Sequence, residues 1–152
     1  MGKFILERTQ VIKATLDETW KFFSSPENLD KLTPKNMGFD IITPRPLPKM
    51  FEGQIIEYKV RPVLNLPIFW RTEITEVRPK KFFIDNQIKG PYKLWRHKHT
   101  FESEGDKVRM HDHVTYELPI GILGNIAHTL YVKKRLAEIF DYRNEVVSEI
   151  FA

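Results

Sequence analysis

Residues 125–150 read NIAHTLYVKKRLAEIFDYRNEVVSEI, a stretch with neither Pro nor Gly. Leu136, Ile139, Phe140, Arg143, Val146, Val147 and Ile150 recur in it at i, i+3, i+4 spacing, while Lys133, Lys134, Glu138 and Glu145 fall largely elsewhere. The pattern predicts a long amphipathic C-terminal helix whose apolar stripe has to be buried against something of comparable size. Upstream, the segments able to supply that surface have the two-residue period of strands, so a sheet is the expected partner.

The strands are separated by breaks at Pro44-Arg45-Pro46-Leu47-Pro48, Arg61 to Pro67, Arg78-Pro79, Gly90-Pro91 and Glu104-Gly105-Asp106. Six strands fit between them, at about 38–43, 52–60, 68–77, 81–88, 93–102 and 107–117, and Lys3 to Ala14 reads as a seventh at the N-terminal side. The short connections favour an antiparallel meander over βαβ units. After the first strand, Thr15 and Glu18 form a capping box, and Trp20, Phe22 and Phe23 give a short helix its apolar residues. Ser25 and Pro26 suit the start of a second short helix, which Thr33-Pro34 ends. The expected fold class is α+β. It is a helix-grip fold in one domain spanning 1–152: a seven-stranded curved antiparallel sheet, two short helices, and a long C-terminal helix over the concave face.

Composition narrows the range of functions. Of 152 residues, 41% are hydrophobic and 29% charged, a balance that can enclose a core with a cavity inside it. The 24 basic and 20 acidic residues leave a net charge of +4 with no block of one sign, so no nucleic-acid partner is expected. With no cysteine, disulfide scaffolds, thiol catalysis and thiolate metal sites are excluded. Met1 to Arg8 lacks the apolar core of a signal peptide, and no run approaches the roughly 20 apolar residues of a membrane span. A cytoplasmic protein without integral membrane association is expected, as a monomer or a weak dimer.

Three connections share one end of such a meander: Arg61 to Pro67, Lys89 to Lys93, and Leu118 to Gly124. They are apolar for loops, with Val63, Leu64, Leu66, Tyr92, Ile120, Ile122 and Leu123 in positions that normally face water. The functional reading is the mouth of a cavity between helix and sheet; the alternative is that these loops cap one end of the core.

Within Trp95-Arg96-His97-Lys98-His99-Thr100-Phe101 the alternation is strict, so Trp95, His97, His99 and Phe101 share a face. Val108, Met110, Asp112, Val114 and Tyr116 share a face on the next strand, while His111 and His113 point the other way and read as solvated. A four-residue loop over Ser103 to Asp106 would pair Phe101 with Val108, His99 with Met110, His97 with Asp112 and Trp95 with Val114. His97, His99 and Asp112 are therefore candidate catalytic residues, with His97 as general base oriented by Asp112. Against this stands a set of buried polar groups that satisfy one another or orient the polar end of a ligand. Two His and an Asp are also a metal-ligand set, but i, i+2 histidines on a flat strand would need Asp112 to swing in, and no metal or other cofactor is expected. The face taken by Phe83, Asp85 and Gln87 depends on a register that local patterns leave open.

The order strand, two helices, six strands, long helix resembles that of the START-like or SRPBCC superfamily, which includes polyketide cyclases and plant hormone and allergen proteins. Trp70-Arg71-Thr72-Glu73-Ile74, Asp85-Asn86-Gln87, Gly90 to Phe101, Asp112 to Pro119 and Phe140-Asp141-Tyr142-Arg143 look like an uncharacterised bacterial branch of ligand-binding SRPBCC proteins. The resemblance implies a deep cavity for a lipid, polyketide or other hydrophobic molecule and implies no reaction. Such a small molecule is the expected partner. Trp70, Trp95, His97, His99, Phe101, Asp112 and Tyr116 would be its binding residues, and a cyclase, dehydratase or hydrolase using His97 with Asp112 is the alternative.

Overall fold

The first strand, β1 (Lys3–Ile12), alternates in burial along its length even though its sequence does not alternate cleanly. The reason is that two of its inward-facing residues are polar and are held by the C-terminal helix. Arg8 pairs with Asp141 at 3.4 Å, and the Gln10 amide donates to the Asn144 carbonyl at 2.7 Å. This is a computed structural model, and it describes residues 2–61, 66–119 and 126–152, excepting the side chains of 126–128.

Helix α1 (Leu16–Phe23) starts at Thr15, whose side chain accepts from the Glu18 amide as the capping box requires. A 3₁₀ turn over Pro26–Asn28 and the short α2 (Leu29–Leu32) follow. Ser25 does not cap that turn as expected; its hydroxyl donates back to the Lys21 carbonyl at 2.8 Å and so closes α1 instead. The strands are β2 (Asp40–Ile41), β3 (Ile55–Val60), β4 (Ile68–Arg78), β5 (Phe82–Lys89), β6 (Leu94–Glu104) and β7 (Lys107–Glu117). β2 is shorter than expected because Gly38, at φ +57°, ends a 3₁₀ turn just before it, and Pro44, Pro46 and Pro48 offer no ladder donors after it.

The seven strands form one antiparallel sheet in the order β1-β7-β6-β5-β4-β3-β2. The long helix, α3 (Ile126–Ile150), lies over its concave face and buries Leu136, Phe140, Arg143 and Val147. Ile150 does not share that burial and is 42% exposed at the helix end.

Register differs from expectation at the β6–β7 hairpin. The turn holds two residues rather than four, with Glu104 opposite Lys107 and Gly105 at φ +65°. A two-residue hairpin needs positive φ in its loop, which Gly supplies without strain, and its twist matches that of the strands. Pairing therefore moves by two: Phe101 faces Met110, His99 faces Asp112, His97 faces Val114, and Trp95 faces Tyr116. A shift of two preserves every inward and outward assignment.

The concave face has two unlike halves. At one end α1 drops Trp20 edge-on to Phe83 and Phe101, over Val108 and Met110, both fully buried. Each such side chain contributes about 1.5–3 kcal/mol by burial. At the other end Trp70 and Trp95 face Leu136 and Phe140 of α3 across a space that is not filled, with Val114 and Tyr116 packed beside it.

Candidate functional site

The unfilled space is a cavity of about 850 Å³, within the rough 300–1,000 Å³ range of small-molecule sites. Its floor is the sheet, with Ile56, Tyr58, Trp70, Ile74, Phe83 and Trp95. Phe23 and Leu32 close one side, and Leu136, Ile139 and Phe140 of α3 form the roof. Into this mainly apolar lining the chain sets Asp85, His97, His99 and Arg143.

Neighbouring strands bring the polar residues together. Asp85 on β5 lies opposite His97 on β6, and Asp112 on β7 lies opposite His99. The hydrogen bonds run along the diagonals. His97 Nε2 is 2.7 Å from Asp112 Oδ1, and His99 Nε2 is 2.7 Å from Asp85 Oδ2. The two imidazoles stack with centroids 3.5 Å apart, and Phe83 stacks on the far side of His99 at 4.0 Å. Arg143 Nη2 reaches in from α3, 3.4 Å from His99 Nδ1 and 3.7 Å from Asp112 Oδ1.

Burial raises the Asp112 pKa, but the Arg143 charge, the His97 hydrogen bond and the two histidines outweigh it, so the carboxyl is held well below the usual carboxylate range. His99 is pushed well below its ordinary value, first by burial and then by His97 and Arg143. The neutral ring accepts from Arg143 at Nδ1, which leaves its hydrogen on Nε2, facing Asp85. Asp85 is raised, chiefly by burial and against the pull of His97 and Arg143. The Tyr58 hydroxyl is also raised, by burial and by Asp85. Asp112 Oδ2, Arg143 Nε and Trp70 Nε1 are buried without a hydrogen-bond partner among the described residues.

The residues singled out from sequence divide accordingly. Trp70, Trp95, His97 and His99 line the cavity; Asp112 sits behind the histidines, reaching the cavity through them. Phe101 does not line it. Phe101 lies two positions past His99 on the same face, where α1 covers the strand, and it packs against Trp20 and Phe23. Tyr116 is buried beside the cavity between Phe4, Tyr92 and Trp95. At the expected mouth, Tyr92 lines the cavity and is held by Gln87, whose side chain bonds both its amide and its carbonyl, while Leu66 is 59% exposed. Val63, Leu64, Ile120, Ile122 and Leu123 lie outside the described residues. The outward histidines are half-buried rather than freely solvated: His111 sits 2.8 Å from the Thr9 hydroxyl and 3.2 Å from Glu7.

Sequence reasoning left Asp85 unplaced and did not give Arg143 a role. For Asp85 the missing information was the β5–β6 register. For Arg143 the signal was present, since a guanidinium falls on the apolar stripe of α3 and has to find a buried acid.

Among the described residues no helix is long and apolar enough to cross a membrane. No protein-family model and no curated protein matches the chain. Solved structures do. Protein TTHA0849 from Thermus thermophilus is 18% identical with a TM-score of 0.72, over 96% of this chain and 95% of that one. Major latex-like protein 151 from Panax ginseng is 13% identical with a TM-score of 0.69, over 99% of both chains. The di-domain ARO/CYC protein StfQ of the steffimycin biosynthetic pathway is 11% identical with a TM-score of 0.72, over 98% of this chain and 51% of that one. At these identities the likeness concerns the fold alone, a helix-grip of curved antiparallel sheet and long C-terminal helix.

Proposed function

We propose that the chain binds a hydrophobic small molecule, of lipid, polyketide or aromatic type, in the cavity between the sheet and α3. The observation that carries this reading is a cavity of about 850 Å³ between the sheet and α3, beside an end of the sheet where Trp20, Phe101, Val108 and Met110 pack together. Water filling a largely apolar cavity of that size leaves apolar side chains hydrated, and a hydrophobic ligand that displaces it removes that surface from water. The body of the ligand would lie among Trp70, Trp95, Tyr58 and Phe140, and its polar end would meet Asp85, His97, His99 and Arg143. Trp70 Nε1 would gain the acceptor it lacks. Tyr92, Leu66 and the neighbouring apolar connections would form the mouth.

Because Trp70 and Trp95 are in the lining, binding should change tryptophan fluorescence. Titration with hydrophobic probes, together with native mass spectrometry after exposure to a cell extract, tests the proposal. Saturable one-to-one binding supports it. No bound small molecule and no fluorescence response across lipid and aromatic probes would overturn it.

A second reading is favoured by one observation, the 2.7 Å contact of cavity-lining His97 with buried Asp112. That pair has the form of an oriented general base, suited to a cyclase, dehydratase or hydrolase reaction. The ARO/CYC name of one fold neighbour supports it by analogy only. His97→Gln separates the readings: loss of turnover with retained binding supports catalysis, and equal loss of both supports binding alone.

A further inference from the structure

We infer that Asp85, His97 and His99 form a binding site for one divalent transition-metal ion in the cavity wall. Each offers one ligand atom, and the three atoms lie within 4.8 Å of one another. With metal–ligand distances of roughly 2.0–2.2 Å, neighbouring ligand atoms in a tetrahedral or octahedral shell stand about 3–3.5 Å apart. Here Asp85 Oδ2 is 2.7 Å from His99 Nε2 and 3.8 Å from His97 Nδ1, distances that bracket that spacing. β6 alone offers only two ligands on one face, with Asp112 badly placed as the third. The β5 register supplies Asp85 in its stead.

Asp112 then takes a different part. Its Oδ1 lies 2.7 Å from His97 Nε2 and 3.4 Å from His99 Nδ1, the nitrogens left over when the other nitrogen of each ring binds metal. On loading, the His99 hydrogen moves from Nε2 to Nδ1 and Arg143 gives up its contact with that nitrogen, so that Asp112 receives both remaining N–H groups, the outer support by which metal-binding histidines are oriented and made more basic. Two carboxylates against the single guanidinium of Arg143 leave the cluster negative, which favours a dication. The imidazoles are now stacked 24° from parallel, so their in-plane lone pairs do not converge, and loading requires one ring to turn about its soft χ2 torsion. Two imidazoles and one carboxylate suit zinc, cobalt, nickel or iron(II) rather than calcium or magnesium. Further coordination positions would face the cavity, because all three ligands line it. The site stands independently of the proposed hydrophobic ligand.

The test is titration of untagged, chelator-treated protein with cobalt(II), read by its visible ligand-field absorption, and with zinc(II), read by calorimetry. One equivalent should bind. Asp85→Asn and His99→Gln should each abolish it, and Asp112→Asn should weaken it by about 10- to 100-fold. His111→Ala, on the outer face, should leave it unchanged. Should the inner variants fail to fold, nitrogen NMR of the wild-type imidazoles under zinc(II) decides: the His97 and His99 resonances should shift together at one equivalent while His111 and His113 stay put. No saturable single-equivalent binding, or binding that survives Asp85→Asn and is lost in His111→Ala, overturns the inference.

Discussion

The β6–β7 hairpin carries two His-x-His pairs of the same spacing, one facing the concave side and one the outer side. His97 and His99 stand on the concave face of β6, buried between Asp85, Asp112 and Arg143. His111 and His113 stand on the outer face of β7, where His111 meets Thr9, Glu7 and the ring of His113. Spacing puts both members of a pair on one face; the environment of that face determines what they do. The inner pair sits in a low-dielectric wall where each hydrogen bond and charge has to be matched, and the outer pair sits where water can replace any partner.

Arg143→Met should break the inner arrangement most severely. It leaves the ionised Asp112 without its cation, and removing one partner of a buried pair costs about 3–5 kcal/mol. Urea denaturation would measure this, and a loss under 1 kcal/mol would mean that water in the cavity screens Asp112. Asp112→Asn is expected to cost about 2 kcal/mol, because it replaces a charged acceptor of His97 with a neutral one. Asp85→Leu should cost about 1 kcal/mol, because buried His99 Nε2 loses its acceptor, while weakening binding of a polar-ended probe about tenfold relative to a wholly apolar one, the loss of one hydrogen bond. The smallest effect belongs to the outer pair. His111→Ala with His113→Ala should stay within about 0.5 kcal/mol of wild type and leave probe binding unchanged.

Much of this contrast was legible in the sequence. Strict alternation across Trp95 to Phe101 and Val108 to Tyr116 assigned the faces of all four histidines, and a two-residue slip in the hairpin could not alter them. The seven strands, the capping box at Thr15 and α3 follow from periodicity and turn chemistry, which are local. What was not legible depends on contacts between distant segments. Asp85 required the β5–β6 register. Phe101 was expected beside His99 in the cavity, and nothing within β6 reveals that α1 fills the space above it with Trp20 and Phe23. Where the cavity ends is set by which helix lies overhead, and that is decided by tertiary packing.

The central claim is that the hollow half of the concave face takes a hydrophobic molecule. The most direct measurement compares wild type with Ile139→Trp, a substitution on α3 that fills the cavity from its roof. Both are exposed to one extract and one set of lipid and aromatic probes, then analysed by native mass spectrometry. Wild type should retain a single small molecule that is released on denaturation, and Ile139→Trp should fold but retain none. Equal retention by both proteins, or bare protein mass from wild type under every condition, would contradict the claim.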